Sequence, residues 1–400
     1  MGTNSFVAPG WERVEEVFSS LFASNQDIGA GVALFHGGEC VVNLTGGYFD
    51  NKMSAPYDEK TLQLVFSATK GVTALAVAIC VERGLLSYEE PVSLFWPEFA
   101  AHGKQSATVA QLLSHQLGLH TVDGAITLED VLDWEVMTSR LATSKPAYEI
   151  GSTHGYHGHT YGWLAGELVR RADGRNIGRF IAEEIANPLG VEIYVGLPEH
   201  LESRVAPLAT NWSRELKLPK TPPNPIIKSL MGKVWASDFG PDSLTLSGAL
   251  SVAGGFNRRD IHSAEMPGSN GITNAYSLAK MYAATIGEVV GALSSVRLVS
   301  ETTMRKMSAT VTPRNQIDQV LQVAATFAMG FLTPFYWLPI SGSDSFGSIG
   351  SGGSIAFADP RREMSFAYVM NRSGEVLDAL GADSRARRLI AAAIQCADAL

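Results

Sequence analysis

The sequence predicts an α+β fold: one antiparallel sheet completed by both chain ends, with a mainly helical lobe inserted between them. Two observations carry this. Strand-like runs stand near both termini, and between about residues 66 and 290 helical patterns dominate, punctuated by glycine and proline. Residues 1–65 and 295–400 are therefore assigned to the sheet lobe and 66–294 to the helical lobe, with a site expected in the cleft between them.

Each element has its own signal. From Trp11 to about Ala23, residues Val14, Val17, Phe18, Leu21 and Phe22 recur at spacings of three and four, which predicts an amphipathic helix with Glu15 and Glu16 outward. The runs GAGVALF and CVVNL follow, separated by His36-Gly37-Gly38, and read as a hairpin. From Ser67 to about Arg83 the chain is apolar almost all round between Val72 and Val81, the pattern of a helix buried on every side. A stretch from about 205 to 245, containing LPKTPPNPIIK, is irregular. Near the other end TFAMGFL, GSIAFA and MSFAYVM are strand-like, the last two joined by the turn Asp359-Pro360-Arg361-Arg362, and a helix from about Asp383 to Ala399 closes the chain.

Composition excludes several functions. The chain has 400 residues, 46% hydrophobic and 18% charged, with a formal charge of −9 and no basic stripe to neutralise phosphates, so nucleic acid is not an expected partner. No uncharged apolar run reaches the roughly 18 residues that span a bilayer, and the opening Met-Gly-Thr-Asn-Ser-Phe has no signal-peptide pattern, which makes the cytoplasm the expected location. Cys40, Cys80 and Cys396 are far apart and suggest neither disulfides nor a zinc site. His154, His157 and His159 fall within six residues, but no carboxylate accompanies them and the glycines around them impose no ligand geometry. No metal and no organic cofactor is expected; a pocket-lining role suits His157 better.

The stretch VFSATKG places Ser67 and Lys70 three residues apart at the mouth of the apolar helix, on one face and one turn apart. Two readings are open on this pattern. Ser67 caps the helix while Lys70 extends to water, or burial and the helix N-terminus depress the lysine so that it takes the serine's proton. Ser277-Leu278-Ala279-Lys280 repeats the spacing in an amphipathic helix, where the lysine is expected to face water. No intact Gly-x-Ser-x-Gly elbow exists; the nearest run, Gly352-Gly353-Ser354-Ile355-Ala356, reads as strand.

The long run VFSATKGVTALAVAICVERGLLSYEEPVSLFWPEF, followed by TVAQLLSHQLGL, resembles the serine β-lactamase and penicillin-binding-protein superfamily, and within it the esterase branch, the family VIII carboxylesterases. The resemblance runs through most of the chain. It implies a β-lactamase/transpeptidase-like fold, with Ser67 as the acylated nucleophile and Lys70 helping to deprotonate it. It also implies a tyrosine opposite the serine, which the segment GSTHGYHGHTYGWLAGELVRRADGR places at Tyr156, with Tyr161 as the other candidate. Gly158 stands where the family often has asparagine, a departure that leans toward esters.

By the same resemblance the third motif falls on Ser348-Ile349-Gly350, where a strand edge would lend the N–H of Ser351 to an oxyanion beside that of Ser67. Ser348 carries no charge for a lactam carboxylate, so good β-lactam turnover is not expected. The segment 264–284 is also family-like, and its Asn270-Gly271 loop is expected to border the cleft. The expected activity is hydrolysis of small carboxylic esters through an acyl-enzyme. The alternatives are acyl transfer, β-lactam, D-amino-peptide or amide hydrolysis, and, from another class, a non-catalytic binding protein on the same fold.

Overall fold

The computed structural model describes residues 5–209, 246–335, 340–374 and 383–400, so the irregular stretch expected at 205 to 245 lies almost wholly outside the described residues. In chain order the strands are β1 (Phe6–Val7), β2 (Gly29–His36), β3 (Glu39–Gly47), β4 (Gln63–Leu64), β5 (Ile193–Tyr194), β6 (Ile272–Thr273), β7 (Val289–Val290), β8 (Ser295–Val296), β9 (Thr326–Phe327), β10 (Leu332–Thr333), β11 (Phe346–Ile349), β12 (Ile355–Asp359) and β13 (Met364–Met370). Eight of them form the main sheet in the order β1-β3-β2-β13-β12-β11-β10-β9. The two chain ends meet where β2 lies antiparallel to β13, with Ala33 opposite Ala367. Strands β4, β6 and β5 make a small second sheet.

The period-two pattern of the strands decides what each face carries. On β13, Met364, Phe366, Tyr368 and Met370 point to one side and join the core beneath the terminal helices Glu12–Ala23 and Ser384–Ala397, with Val14, Phe18, Leu389 and Ala393. The opposite side shows small residues, among them Ala33, Ala356, Ala358 and Ala367, which let a helix approach closely. That helix is Ala275–Ile286, whose Ala279 carbonyl accepts a hydrogen bond from Ser365 Oγ at 2.7 Å. The boundary expected at 294 would have given this helix to the other lobe; it packs on the sheet instead.

One buried cation ties the sheet lobe together. Arg385 is 4% exposed and donates to Asp27 Oδ1 at 2.6 Å, Asp383 Oδ2 at 2.6 Å and the Gly352 carbonyl at 3.0 Å. Asp27 precedes β2, and Gly352 lies in the turn between β11 and β12. A planar guanidinium with several donors can hold such a group of acceptors where a lysine could not.

TFAMGFL is not a single strand. It folds back as the hairpin β9–β10, with Phe327 opposite Leu332 and Gly330 at φ +89° in the turn. A side chain at Gly330 would lie 2.1 Å from the Tyr161 hydroxyl, so that glycine is required both by its φ and by the space.

Helix Thr69–Glu82 is buried from Thr69 to Cys80, as its all-round apolar pattern predicts. Gly71 is what lets it lie against the sheet lobe: a Cβ there would stand 2.0 Å from the Tyr282 hydroxyl and 2.9 Å from Ser348 Oγ. Gly71→Ala is therefore expected to lower stability by about 1–3 kcal/mol by overpacking, outweighing a gain of about 1 kcal/mol in helix propensity. Urea unfolding measures this, and adding Tyr282→Phe should restore most of the loss; an unchanged double variant would refute the steric account.

Candidate active site

The segment Leu64-Val65-Phe66-Ser67 turns the chain from β4 into the buried helix. Val65 N–H donates to the Gly271 carbonyl at 2.9 Å, and Ser354 Oγ donates to the Val65 carbonyl at 2.8 Å, so both flanking segments grip the turn. Phe66 takes φ +48°, a conformation an aromatic residue rarely adopts. Thr69 Oγ1 closes the turn by donating to the Phe66 carbonyl at 2.5 Å and accepting the Gly271 N–H at 2.8 Å. From Thr61 to Cys80 every residue is buried except Ser67. A hydroxyl is thus presented to solvent from an otherwise closed stretch.

Lys70 Nζ lies 3.0 Å from Ser67 Oγ, 2.5 Å from the Gly158 carbonyl oxygen and 2.7 Å from the Gly268 carbonyl oxygen. Its side chain is 3% exposed, and burial with no compensating negative charge holds the ammonium well below its ordinary value of 10.5. Two of the three partners are carbonyls, which can only accept, so two N–H groups of the lysine are committed to them. What varies is the third contact. A neutral amine turns its lone pair to the Ser67 hydroxyl, and an ammonium gives the hydroxyl oxygen its last N–H. These two states are the beginning and end of proton transfer from serine to lysine.

Tyr156 faces the same hydroxyl. Burial pushes its phenol up on balance, and the neighbouring Ser67 side chain offsets part of that rise. Lys70 Nζ lies 4.9 Å from the Tyr156 ring centre. Tyr161, the other candidate, is fully buried in helix Thr160–Asp173 with its ring 5.9 Å from Lys70. The structure therefore brings Ser67, Lys70 and Tyr156 together and leaves Tyr161 behind them.

At the third motif, Ser348 lies on β11 and is buried against Tyr282 and Gly71. The strand lies inside the sheet between β12 and β10, and β10 pairs with it at Gly347 only. Gly350 must be glycine: a Cβ there would meet the Val65 carbonyl oxygen at 2.1 Å. Ser351 opens the 3-10 turn Ser351–Gly353, and Ser67 lies in the 3-10 turn Phe66–Ala68. First-turn N–H groups have no intrahelical acceptor, so both can serve a ligand oxygen.

Two expected pocket residues belong to the scaffold. His157 is fully buried; its Nδ1 donates to the Gly155 carbonyl at 2.7 Å and its Nε2 accepts the Leu119 N–H at 3.0 Å. Burial drives this ring down to about 3, so it stays neutral. Asn270 is also fully buried, accepting the Met266 N–H and donating to the carbonyls of Ile261 and Ala264. Neither presents a polar atom to a ligand, because the chain's own backbone uses all of them. The repeat of the serine-lysine spacing also differs from expectation: Lys280 is only 7% exposed and donates to the Leu189 carbonyl at 2.7 Å, while Ser277 Oγ accepts the Glu192 N–H. Its serine and lysine have separate partners. Among the described residues no three His, Cys, Asp or Glu side chains are placed to hold a metal ion.

Sequence reasoning gave no chemistry to the 264–284 segment, yet its Gly268 carbonyl binds Lys70. Thr73 Oγ1, donating to the Pro267 carbonyl at 2.6 Å, fixes that carbonyl in place. Phe256, standing edge-on to Phe66 at 5.0 Å and stacked by the partly exposed His159 at 6.5 Å, was likewise not anticipated.

The beta-lactamase family model matches residues 14–390. The chain is 32% identical to the esterase/beta-lactamase LipL of Mycobacterium tuberculosis, over 91% of this chain and 82% of that one. Among solved structures it is similar to a family VIII carboxylesterase, with a TM-score of 0.83 and 33% identity over 98% of each chain, and to a penicillin-binding-protein homologue from Caulobacter crescentus, with a TM-score of 0.83 and 36% identity over 98% of each.

Because Lys70 is buried with a lowered pKa, the unfolded chain binds more protons than the folded one between that lowered value and 10.5. Folded stability should therefore rise with pH across this window. Lys70→Met is expected to flatten that rise and to be at least as stable as the parent near neutrality, measured by urea unfolding at about pH 6 and about pH 9.

Proposed function

As the chain belongs to the beta-lactamase family and is a serine hydrolase of the carboxylesterase kind, we propose that it cleaves small carboxylic esters through an acyl-enzyme on Ser67, with Lys70 and Tyr156 moving the protons. One observation carries the reading: a lysine amine without a carboxylate partner, held by two backbone carbonyls, with its remaining site against the one partly exposed residue of a buried run, the Ser67 hydroxyl.

In acylation the neutral Lys70 amine takes the Ser67 proton while Oγ bonds to the ester carbonyl carbon. The carbonyl oxygen becomes an oxyanion received by the N–H groups of Ser67 and Ser351. On collapse the C–O bond to the alcohol breaks. Tyr156 gives its phenolic proton to the departing alkoxide and recovers one from the Lys70 ammonium. Water then enters, loses a proton to the same pair and attacks the acyl carbon; Ser67 leaves as the hydroxyl and the free acid departs. A phenol raised by burial keeps its proton until a stronger base needs it, and that is what the donor step requires.

Gly158 has no side chain to meet an amide, which supports esters over peptides. The name of LipL couples esterase with beta-lactamase, so β-lactams are the second substrate class to test, although Ser348 offers no cation to a carboxylate. An alcohol in place of water would give acyl transfer from the same intermediate.

The test combines intact mass after a fluorophosphonate with turnover of p-nitrophenyl butyrate and nitrocefin. A single adduct, absent from Ser67→Ala, with ester cleavage exceeding nitrocefin cleavage, is the expected result. Lys70→Ala and Tyr156→Phe should each lower kcat by about 10²–10⁴-fold, and kcat/KM should rise with pH through one ionisation below 10.5. An adduct that survives Ser67→Ala would end the reading.

A further inference from the structure

Two side chains that the catalytic scheme does not use, His154 and Asp318, are both fully buried, two residues from Tyr156 in the first case and bonded to its backbone in the second. Asp318 Oδ1 accepts three backbone N–H groups, from Tyr156 at 3.1 Å, Val320 at 2.8 Å and Leu321 at 2.7 Å. Its Oδ2 has no hydrogen-bond partner and lies 3.9 Å from His154 Nε2. The His154 backbone carbonyl in turn accepts the Gln319 N–H at 2.9 Å. The tyrosine loop is thus fastened to the 316–321 loop at the His154 carbonyl and at the Tyr156 N–H itself.

The proton count of this pair follows from its neighbours. His154 Nε2 lies 3.0 Å from the Ala325 carbonyl oxygen, and Nδ1 lies 3.2 Å from Gln316 Oε1. Gln316 commits its Nε2 to the Ser152 carbonyl at 3.1 Å, which fixes Oε1 as the atom facing the ring. Both ring nitrogens therefore face acceptors. A neutral ring would set a lone pair against an oxygen at one of them, and would leave Asp318 either a buried carboxylate with no counter-charge or an acid whose Oδ2 proton meets no acceptor. An imidazolium beside a carboxylate satisfies every group, including the orphan Oδ2, by charge.

We propose that His154 is an imidazolium paired with the Asp318 carboxylate, and that this buried ion pair is the positioning device that holds Tyr156 against Ser67. It rests on the reading of Tyr156 as the proton carrier. Burial leaves Asp318 raised on balance, and its three N–H bonds and His154 act in the opposite direction; the pairing follows from the acceptors around both ring nitrogens. The other titratable groups around the pair are His115, Tyr148 and Tyr156. His115 is neutral, its Nδ1 accepting the His157 N–H at 3.1 Å, and Tyr148 donates its hydroxyl proton to the His115 carbonyl. Phe327, 5.9 Å from the His154 ring, carries no charge. No second carboxylate shares the imidazolium among the groups described here.

The experiment is nitrogen NMR of the full chain carrying ¹⁵N-histidine, near neutral pH, beside kcat and KM of Asp318→Asn. Asparagine retains an oxygen for the three N–H groups and removes only the charge. Two ring protons on His154 in the parent, one in Asp318→Asn, and a kcat lowered about 10- to 100-fold with KM little changed are expected. A single ring proton on His154 in the parent overturns the proposal, and that spectrum needs no variant to fold. An unaltered kcat in folded Asp318→Asn overturns the positioning role. Tyr156→Phe separates this from the parent reading: if it retains full activity, the role of Tyr156 falls together with its positioning, while the charge of His154 is still judged by its spectrum.

Discussion

A lysine amine in a dry interior needs acceptors that do not fix its charge, and the geometry around Lys70 meets that constraint with two peptide carbonyls. A carboxylate in the same place would stabilise the ammonium and raise its pKa, against the role of base proposed for it. The carbonyls of Gly158 and Gly268 orient the amine without neutralising it. The neighbouring structure keeps these two oxygens where they are. Thr73 and Thr69 pin the 267–271 segment to the buried helix, and Gly162 lets the tyrosine loop and that segment touch, since a Cβ there would meet Gly268 N at 2.2 Å.

The same economy of charge distinguishes Lys70 from Lys280. Both are buried, both are lowered by burial and both donate to a backbone carbonyl. Only Lys70 has a hydroxyl as a further partner, and only its serine is reachable from solvent. Spacing alone does not separate a base from a structural lysine; the difference lies in what closes the third position of the ammonium.

Much of the fold was legible because it rests on local rules. Met364–Met370 reads as a strand because large and small residues alternate along it, and both faces are buried in the way that alternation divides them. The helix after Ser67 reads as buried because it has no polar face. What escaped depends on distant partners. Gly158 and Gly268 lie 88 and 198 residues from Lys70 and act through backbone oxygens, which leave no mark on side-chain identity. His157 and Asn270 look like ligand-binding residues in sequence, yet the backbone of their own loops consumes their polar atoms. Lys280 looks solvent-facing until the Leu189 carbonyl arrives from another element. TFAMGFL has strand composition, and only the packing of Tyr161 against Gly330 shows why it must turn.

Arg385 joins a residue before β2, the C-terminal helix and the turn that carries Ser351. Strand β2 in turn lies between β3 and β13, so its sheet partner on one side is made some 330 positions later in the sequence. The turn that carries Ser351 therefore gains this support only when the segment 383–397 has docked. A chain still emerging from the ribosome, with its Ser67 segment long since synthesised, lacks both this brace and the strand that completes the sheet beside β2. The surroundings of Ser67 are thus assembled from segments at opposite ends of the sequence, and late synthesis sets when they can close.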